Sequence, residues 1–165
     1  MYDDLTKKDI EDMEAEVEHR KLVIRPKTLE DVKEARAHGD LSENFEYKAA
    51  KQAQRENESR IRYLEKMIKT AHIIDDSSKD DEVGIDKSVT VYIPDDEVEE
   101  TYHITTTIRG NSLKGRISID SPMGKALMGH KVGETVCVTT DSGYSYNVEI
   151  REIKEASEEA SLRKF

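Results

Sequence analysis

The chain contains no tryptophan, only two phenylalanines and a single cysteine in 165 residues. With apolar residues at 35%, so few large aromatic side chains argue against one large hydrophobic core. Cys137 alone excludes an intramolecular disulfide framework and a Cys-rich zinc site. Its neighbours Val136 and Val138 read as a strand, so the thiol is expected to be buried and inert. No apolar run is long enough to span a bilayer, and the acidic start Met1-Tyr2-Asp3-Asp4 lacks the apolar stretch of a signal peptide. A cytoplasmic protein with no membrane partner is expected. Positive charge is also in deficit. Lys and Arg total 26 against 36 Asp and Glu, and the net charge of −10 disfavours a general nucleic-acid binder.

What is abundant is charge of both signs, 38% of residues, arranged on two different periods. Tyr47, Ala50, Gln54, Asn57, Ile61, Leu64, Ile68 and Ala71 are spaced alternately by three and four, which is a heptad seam. The same spacing runs through Ile10, Met13, Val17 and Ile24, then resumes after a phase change at Leu29, Val32 and Arg36. Pro26 lies at the phase change and predicts a kink there. Between the seams stands Gly39-Asp40-Leu41-Ser42-Glu43-Asn44. Gly39 suits a helix C-terminus, and Asp40 or Ser42 can cap the next helix, with Asp40 and Glu43 at capping-box spacing. The result is an antiparallel helical hairpin over residues 1–74, a rod roughly 40 Å long, with an acidic tip at 39–46. Asn57 and Gln54, polar at seam positions, are expected to fix its register.

After residue 74 the period becomes two, through Val89, Val91 and Ile93, through Val136 and Val138, and from Tyr144 to Ile153. Ser121-Pro122 opens a short helix that Gly129 closes. The fold class is therefore α+β: the hairpin, an acidic linker at 75–82, a small and mostly antiparallel domain at 83–155, and a polar tail at 156–165 that frays or forms a short helix.

The tip carries two kinds of chemistry. Helix capping alone accounts for acidic residues at this place. A second reading makes Asp40 and Glu43 a hard-oxygen pair suited to Mg²⁺, too few to cage the ion and in need of ligands from a phosphate or another protein. Lys48, Lys51 and Arg55 form one helical stripe near the tip, and Arg36 stands near it on the other arm. Such a stripe is commonly a solvated face. Here, however, the acidity lies elsewhere, at 9–18, 75–82 and 95–100, so the segregation suggests that only the tip end meets nucleic acid.

The run from Ala35 to Asn44, followed by Glu46-Tyr47 and Ala49-Ala50-Lys51, closely resembles the tip of the GreA branch of the Gre factor family of bacterial transcription elongation factors. Arg25-Pro26, Arg60-Ile61 and Leu64-Glu65 extend the resemblance. Gly115-Arg116-Ile117-Ser118, the segment Ser121 to Gly129, and Val132-Gly133-Glu134 resemble that family's second domain, so the likeness runs from Leu5 to Lys154. The resemblance implies an N-terminal antiparallel coiled coil and an FKBP-like second domain. It implies bacterial RNA polymerase as partner, with Asp120, Ser121, Pro122 and Met123 docking at the rim of its secondary channel. The coiled coil would enter the channel to reach the active centre and the 3′ end of nascent RNA. There Asp40 and Glu43 would share Mg²⁺ with the polymerase, none being held tightly by the free chain, and backtracked RNA would be cleaved. The family's basic patch matches Arg36 and Lys51; spacing extends it to Lys48 and Arg55. The chain would not be an enzyme by itself.

Several positions depart from the family pattern. Phe45 stands at a usually small position and Lys48 where His is common. Arg20 occupies a usually apolar seam position, which predicts a looser base of the rod. Thr105 to Asn111 lacks the family's Val-Gly and Glu-Ala elements and has Arg109 for an acidic residue. The residues after Glu155 have no counterpart. Two other functions compete: a Gre-like inhibitor that occupies the channel without stimulating cleavage, and a peptidyl-prolyl isomerase. The second would need an aromatic-lined pocket, and the second half has no Trp and no Phe before Phe165.

Overall fold

Two long helical arms arise where the heptad spacing runs, and a sheet arises where the period is two. The computed structural model describes residues 3–39 and 44–164, so Asp40, Leu41, Ser42 and Glu43 lie outside the described residues. The chain divides into two compact units, Met1–Asp3 with Lys8–His72, and Asp4–Lys7 with Ile73–Phe165. Among the described residues no helix is long and apolar enough to cross a membrane.

The first arm of the helical unit is α1 (Lys7–His19), a π-helical segment (Arg20–Ile24) and α2 (Arg25–Ala37); the second arm is α3 (Phe45–Thr70). Their side chains meet in opposite order along the chain, Glu16 with Arg60, Arg25 with Glu58 and Arg36 with Tyr47, which makes the arms antiparallel. The apolar seam contains Met13, Val17, Val32, Ala35, Ile61 and Leu64, all buried. The phase change expected at Pro26 is absorbed one turn earlier. The Arg25 N–H bonds to the Arg20 carbonyl, five residues back, and the wider turn rotates everything after it. Pro26 then stands at the start of α2 directly after the wider turn, where its missing N–H leaves one carbonyl of the helical ladder without a donor. The rotation also corrects the seam. Thr28, Val32 and Ala35 are buried, whereas Leu29 is 52% exposed and Arg36 lies on the surface.

A polar knot sits beside the π segment. Asn57, 2% exposed, donates from Nδ2 to the Arg20 carbonyl (3.3 Å) and accepts from Arg20 Nη1 (3.0 Å). Arg20 also donates to Glu16 Oε2 at 2.7 Å, and the buried Arg60 grips both oxygens of Glu16 at 2.8 and 3.2 Å. Arg20 therefore does not loosen the base of the rod as expected, because Glu16 and Asn57 satisfy it. Burial pushes the Glu16 carboxyl up, but the hydrogen bonds from Arg60 and Arg20 outweigh it and hold the pKa below the ordinary 4.5.

In the second unit, β1 (Lys87–Ile93), β2 (Val98–Thr105), β3 (Arg116–Ser118), β4 (Thr135–Thr139) and β5 (Ser145–Glu155) form one sheet in the order β3-β2-β1-β5-β4. All pairs are antiparallel except β2 with β3, where Ile104 lies opposite Ile117. A register shift at Thr90/Val91 on β1 gives β5 an extra residue, Arg151, whose guanidinium lies over the Tyr92 ring at 4.3 Å. Val89, Val91, Val138, Val148 and Ile150 line the buried face, and Met123 and Leu127 of the short helix α4 (Pro122–Leu127) cover it. Alternation then decides the thiol: Val136 and Val138 face inward, so Cys137 points to the other face and is exposed, contrary to the expected buried cysteine.

The tail neither frays nor becomes helical. It returns to the unit without regular secondary structure, with Ala160 1% exposed and its carbonyl accepting from Arg109 Nη1 at 2.6 Å. The Arg163 N–H donates to the Ile108 carbonyl at 2.7 Å.

Two outcomes follow. Glu16→Gln removes the carboxylate that grips the buried Arg60 and should cost about 3 kcal/mol of stability in urea unfolding followed by circular dichroism. Because the folded Glu16 pKa is depressed, its contribution is present above the unfolded value of 4.5 and is lost as pH falls through the folded value. The variant should therefore show a shallower acid loss than the parent, and equal slopes would overturn this role. For Cys137, a small thiol reagent should label the native protein nearly as fast as the urea-unfolded chain.

Candidate functional site

The hairpin end is built from the last turn of α2 and the first turns of α3. Gly39, at φ +130°, follows the His38 that ends α2, a backbone conformation suited to glycine. On the far side Asn44 is the N-cap of α3: its Oδ1 accepts from the Tyr47 N–H at 3.0 Å, and its Nδ2 donates across to the Ala35 carbonyl at 2.6 Å. This corrects the expectation that Asp40 or Ser42 caps the second arm. Asn is among the best N-cap residues, and Asn44 stands immediately before the periodic run, so the signal was present in the sequence. Asn44 thus performs two tasks with one carboxamide, starting α3 and tying it to the end of α2. Beside it, His38 Nδ1 and Glu46 Oε2 are 2.9 Å apart.

One cation, Arg36, packs on an aromatic ring of the opposite arm. Arg36 lies over Tyr47, 5.6 Å from the ring centroid, with Nη2 at 3.5 Å from the phenol oxygen. The Arg36 hydrogen bond holds the Tyr47 phenol below its ordinary value against a small opposing effect of burial, and the charges of Arg36, Lys51 and Arg55 act in the same direction. Three of the four cations expected to form the patch therefore share an environment. Lys51 Nζ also reaches Gln54 Oε1 at 3.4 Å. Lys48 goes elsewhere, 5.5 Å from the centroid of the Phe45 ring, which is itself 80% exposed. Tyr47 as the organiser of the patch was not foreseen, since its spacing reads as an ordinary seam residue.

Asp40 and Glu43 occupy the chain between Gly39 and Asn44 and lie outside the described residues. As a donor set, two carboxylates supply the hard oxygens that Mg²⁺ prefers. Among the described residues no three His, Cys, Asp or Glu side chains group as metal ligands.

In the second unit the Ser-Pro segment is shaped by a cap. Ser121 Oγ accepts from the Gly124 N–H at 3.1 Å and donates to the Ser118 carbonyl at 2.6 Å, while Pro122 opens the helix. A Cβ on Gly124 would stand 2.0 Å from the Ser118 carbonyl oxygen, so the close approach requires glycine. Asp120 is exposed and Ser121 and Pro122 are half-exposed, but Met123 is 8% exposed and belongs to the core. A partner meeting this segment would touch the first three.

Residues 4–73 match the family description "Transcription elongation factor, N-terminal", and residues 78–155 match "Transcription elongation factor, GreA/GreB, C-term". Transcription elongation factor GreA of Geobacillus kaustophilus is 47% identical over 141 residues, covering 84% of this chain and 89% of the relative. The GreA of Streptococcus thermophilus is 44% identical over 146 residues, 88% of this chain and 91% of the relative. Among solved structures, GreA factor homolog 1 (Gfh1) of Thermus thermophilus is 25% identical with a TM-score of 0.43, covering 93% of this chain and 99% of that one. Two consecutive domain matches and relatives at this identity over most of their length place the chain in the GreA/GreB family of transcription elongation factors.

Proposed function

We propose that the chain enters the secondary channel of bacterial RNA polymerase hairpin end first and stimulates cleavage of backtracked RNA there. The observation that carries this reading is the division of labour at the hairpin end. Asn44 starts α3 and ties it to the end of α2, and Arg36 over Tyr47 joins the arms, so the described residues beside the Asp40–Glu43 segment are held in place and bring cations to it. A pair of acidic residues in the sequence next to a cationic patch, in a chain of net charge −10, fits a metal-assisted role toward an anionic substrate.

Asp40 and Glu43 would hold Mg²⁺ together with polymerase ligands. When bound, the ion supplies charge stabilisation and a more acidic water for phosphodiester hydrolysis. The chain's own residues do the positioning. Arg36, Lys51 and Arg55 attract the RNA backbone and neutralise part of its charge, and Lys48 beside Phe45 extends the contact. Asp120, Ser121 and Pro122 present the second unit to the channel rim. The nuclease centre is the polymerase's; this chain lends ligands to it.

The test follows RNA length in a stalled, backtracked bacterial polymerase complex with Mg²⁺. The native chain should accelerate shortening. Asp40→Ala with Glu43→Ala should bind polymerase normally and lose the acceleration, whereas Arg36→Gln with Lys51→Gln should need about tenfold more protein and show a weaker salt dependence. Acceleration retained by the double carboxylate variant would refute the proposal. Slower synthesis without shortening by the native chain would favour an inhibitor.

A further inference from the structure

The segment that departs most from the family pattern and the tail that has no counterpart in it come together in the second unit. Arg109 binds the Ala160 carbonyl, and the Arg163 N–H binds the Ile108 carbonyl. Between these ties the loop from Arg109 to Arg116 and the tail from Ser161 to Lys164 enclose an open cleft of about 790 Å³. That volume falls within the range of small-molecule sites.

The lining is of one sign. Arg109, Lys114, Arg116, Arg163 and Lys164 all contribute, and no Asp or Glu is among the described residues that line the cleft. In a chain with ten more acidic than basic residues, such a concentration is not a sample of the average surface. Arg116 is the telling member. It is 7% exposed, yet its nearest carboxylate, Glu158 Oε2, is 4.0 Å away on a side chain 82% exposed. The Arg116 nitrogens are not among the buried unpartnered atoms, so this little-exposed guanidinium keeps donors that an anion can reach. Arg116 and Lys114 also line a smaller adjoining cleft of about 380 Å³, where Glu158 is the one acidic residue among the described lining, so the purely cationic lining is confined to the larger cleft. The described lining of the larger cleft contains no aromatic ring, so recognition there would rest on charge and hydrogen bonding, with Asn111 and Ser112 as added polar groups, and not on stacking of a base.

We propose that this cleft is a binding site for a compact phosphate-bearing anion, with Arg116 and Lys114 on one wall and Arg163 and Lys164 on the other. Arginine supplies the forked donors that match phosphate oxygens, and lysine supplies point charge. Because one wall is the tail, the site exists only while the tail is docked.

The experiment is calorimetric titration of the full chain with tripolyphosphate at low salt, with amide NMR shifts as location. Two cleft variants, Lys114→Gln with Arg116→Gln and Arg163→Gln with Lys164→Gln, are compared with Lys66→Gln and Lys69→Gln, which lie on the other unit. Each cleft pair should weaken binding about tenfold or more, and the control pair should leave it unchanged. The tail pair is exposed and should not disturb folding, so a folding failure of the buried-arginine variant does not spare the idea. Equal loss in the control pair would mean a diffuse ion atmosphere and overturn the site. So would an Asp/Glu-rich peptide that shifts the cleft amides while tripolyphosphate does not compete, which would make the cleft a peptide contact.

Discussion

One carboxylate gripped by two guanidiniums holds the arms of the hairpin in register. Glu16 binds Arg20 from its own helix and Arg60 from the opposite one, and Asn57 locks onto the Arg20 carbonyl and side chain at the same level. An apolar seam of two helices is narrow, and sliding by a turn would cost it little shape complementarity. Sliding this knot would break the bonds of Arg60 to Glu16 and of Asn57 to Arg20 between buried groups, which is a much steeper penalty. The placement of everything at the hairpin end depends on that register. Arg36 meets Tyr47, and Asn44 meets Ala35, only because Glu16 and Arg60 are aligned far down the rod.

The π segment and the knot are one device. The widened turn at Arg20–Ile24 puts the Arg20 carbonyl where Asn57 can donate to it, and it shifts the buried face of α2 onto Thr28, Val32 and Ala35. It also leaves Arg36 on the surface beside Tyr47. An uninterrupted helix would have carried Arg36 toward the seam, as the heptad spacing implies, and away from the position in which it packs over Tyr47. A backbone irregularity in the middle of the arm thus prepares the chemistry at its end.

The second unit shows the converse relation, in which a polar loop gains structure from a distant segment. Arg109 is buried because the tail supplies the Ala160 carbonyl to it, and the tail is ordered because Arg109 and Ile108 receive it. Two segments far apart in the chain, the loop at Ile108–Arg109 and the tail at Ala160–Arg163, become one structural unit when the chain folds.

Much of this was legible beforehand because it depends on local rules. Heptad spacing located the helices, period-two spacing located β1, β4 and β5, and Ser121-Pro122 announced a capped helix that formed as read. The order of residues around Asp40 and Glu43 was enough to place the chain among transcription elongation factors. The misreadings share a different cause. Which residue caps α3, which face of α2 is buried, whether Cys137 points inward, and whether the tail is tied down are all decided by partners distant in sequence. A spacing rule carries no information about them. The sequence by itself determined the elements and the chemistry available at the hairpin end. The tertiary structure decided register and facing, because a buried charge must find its partner and a strand has only one inward face.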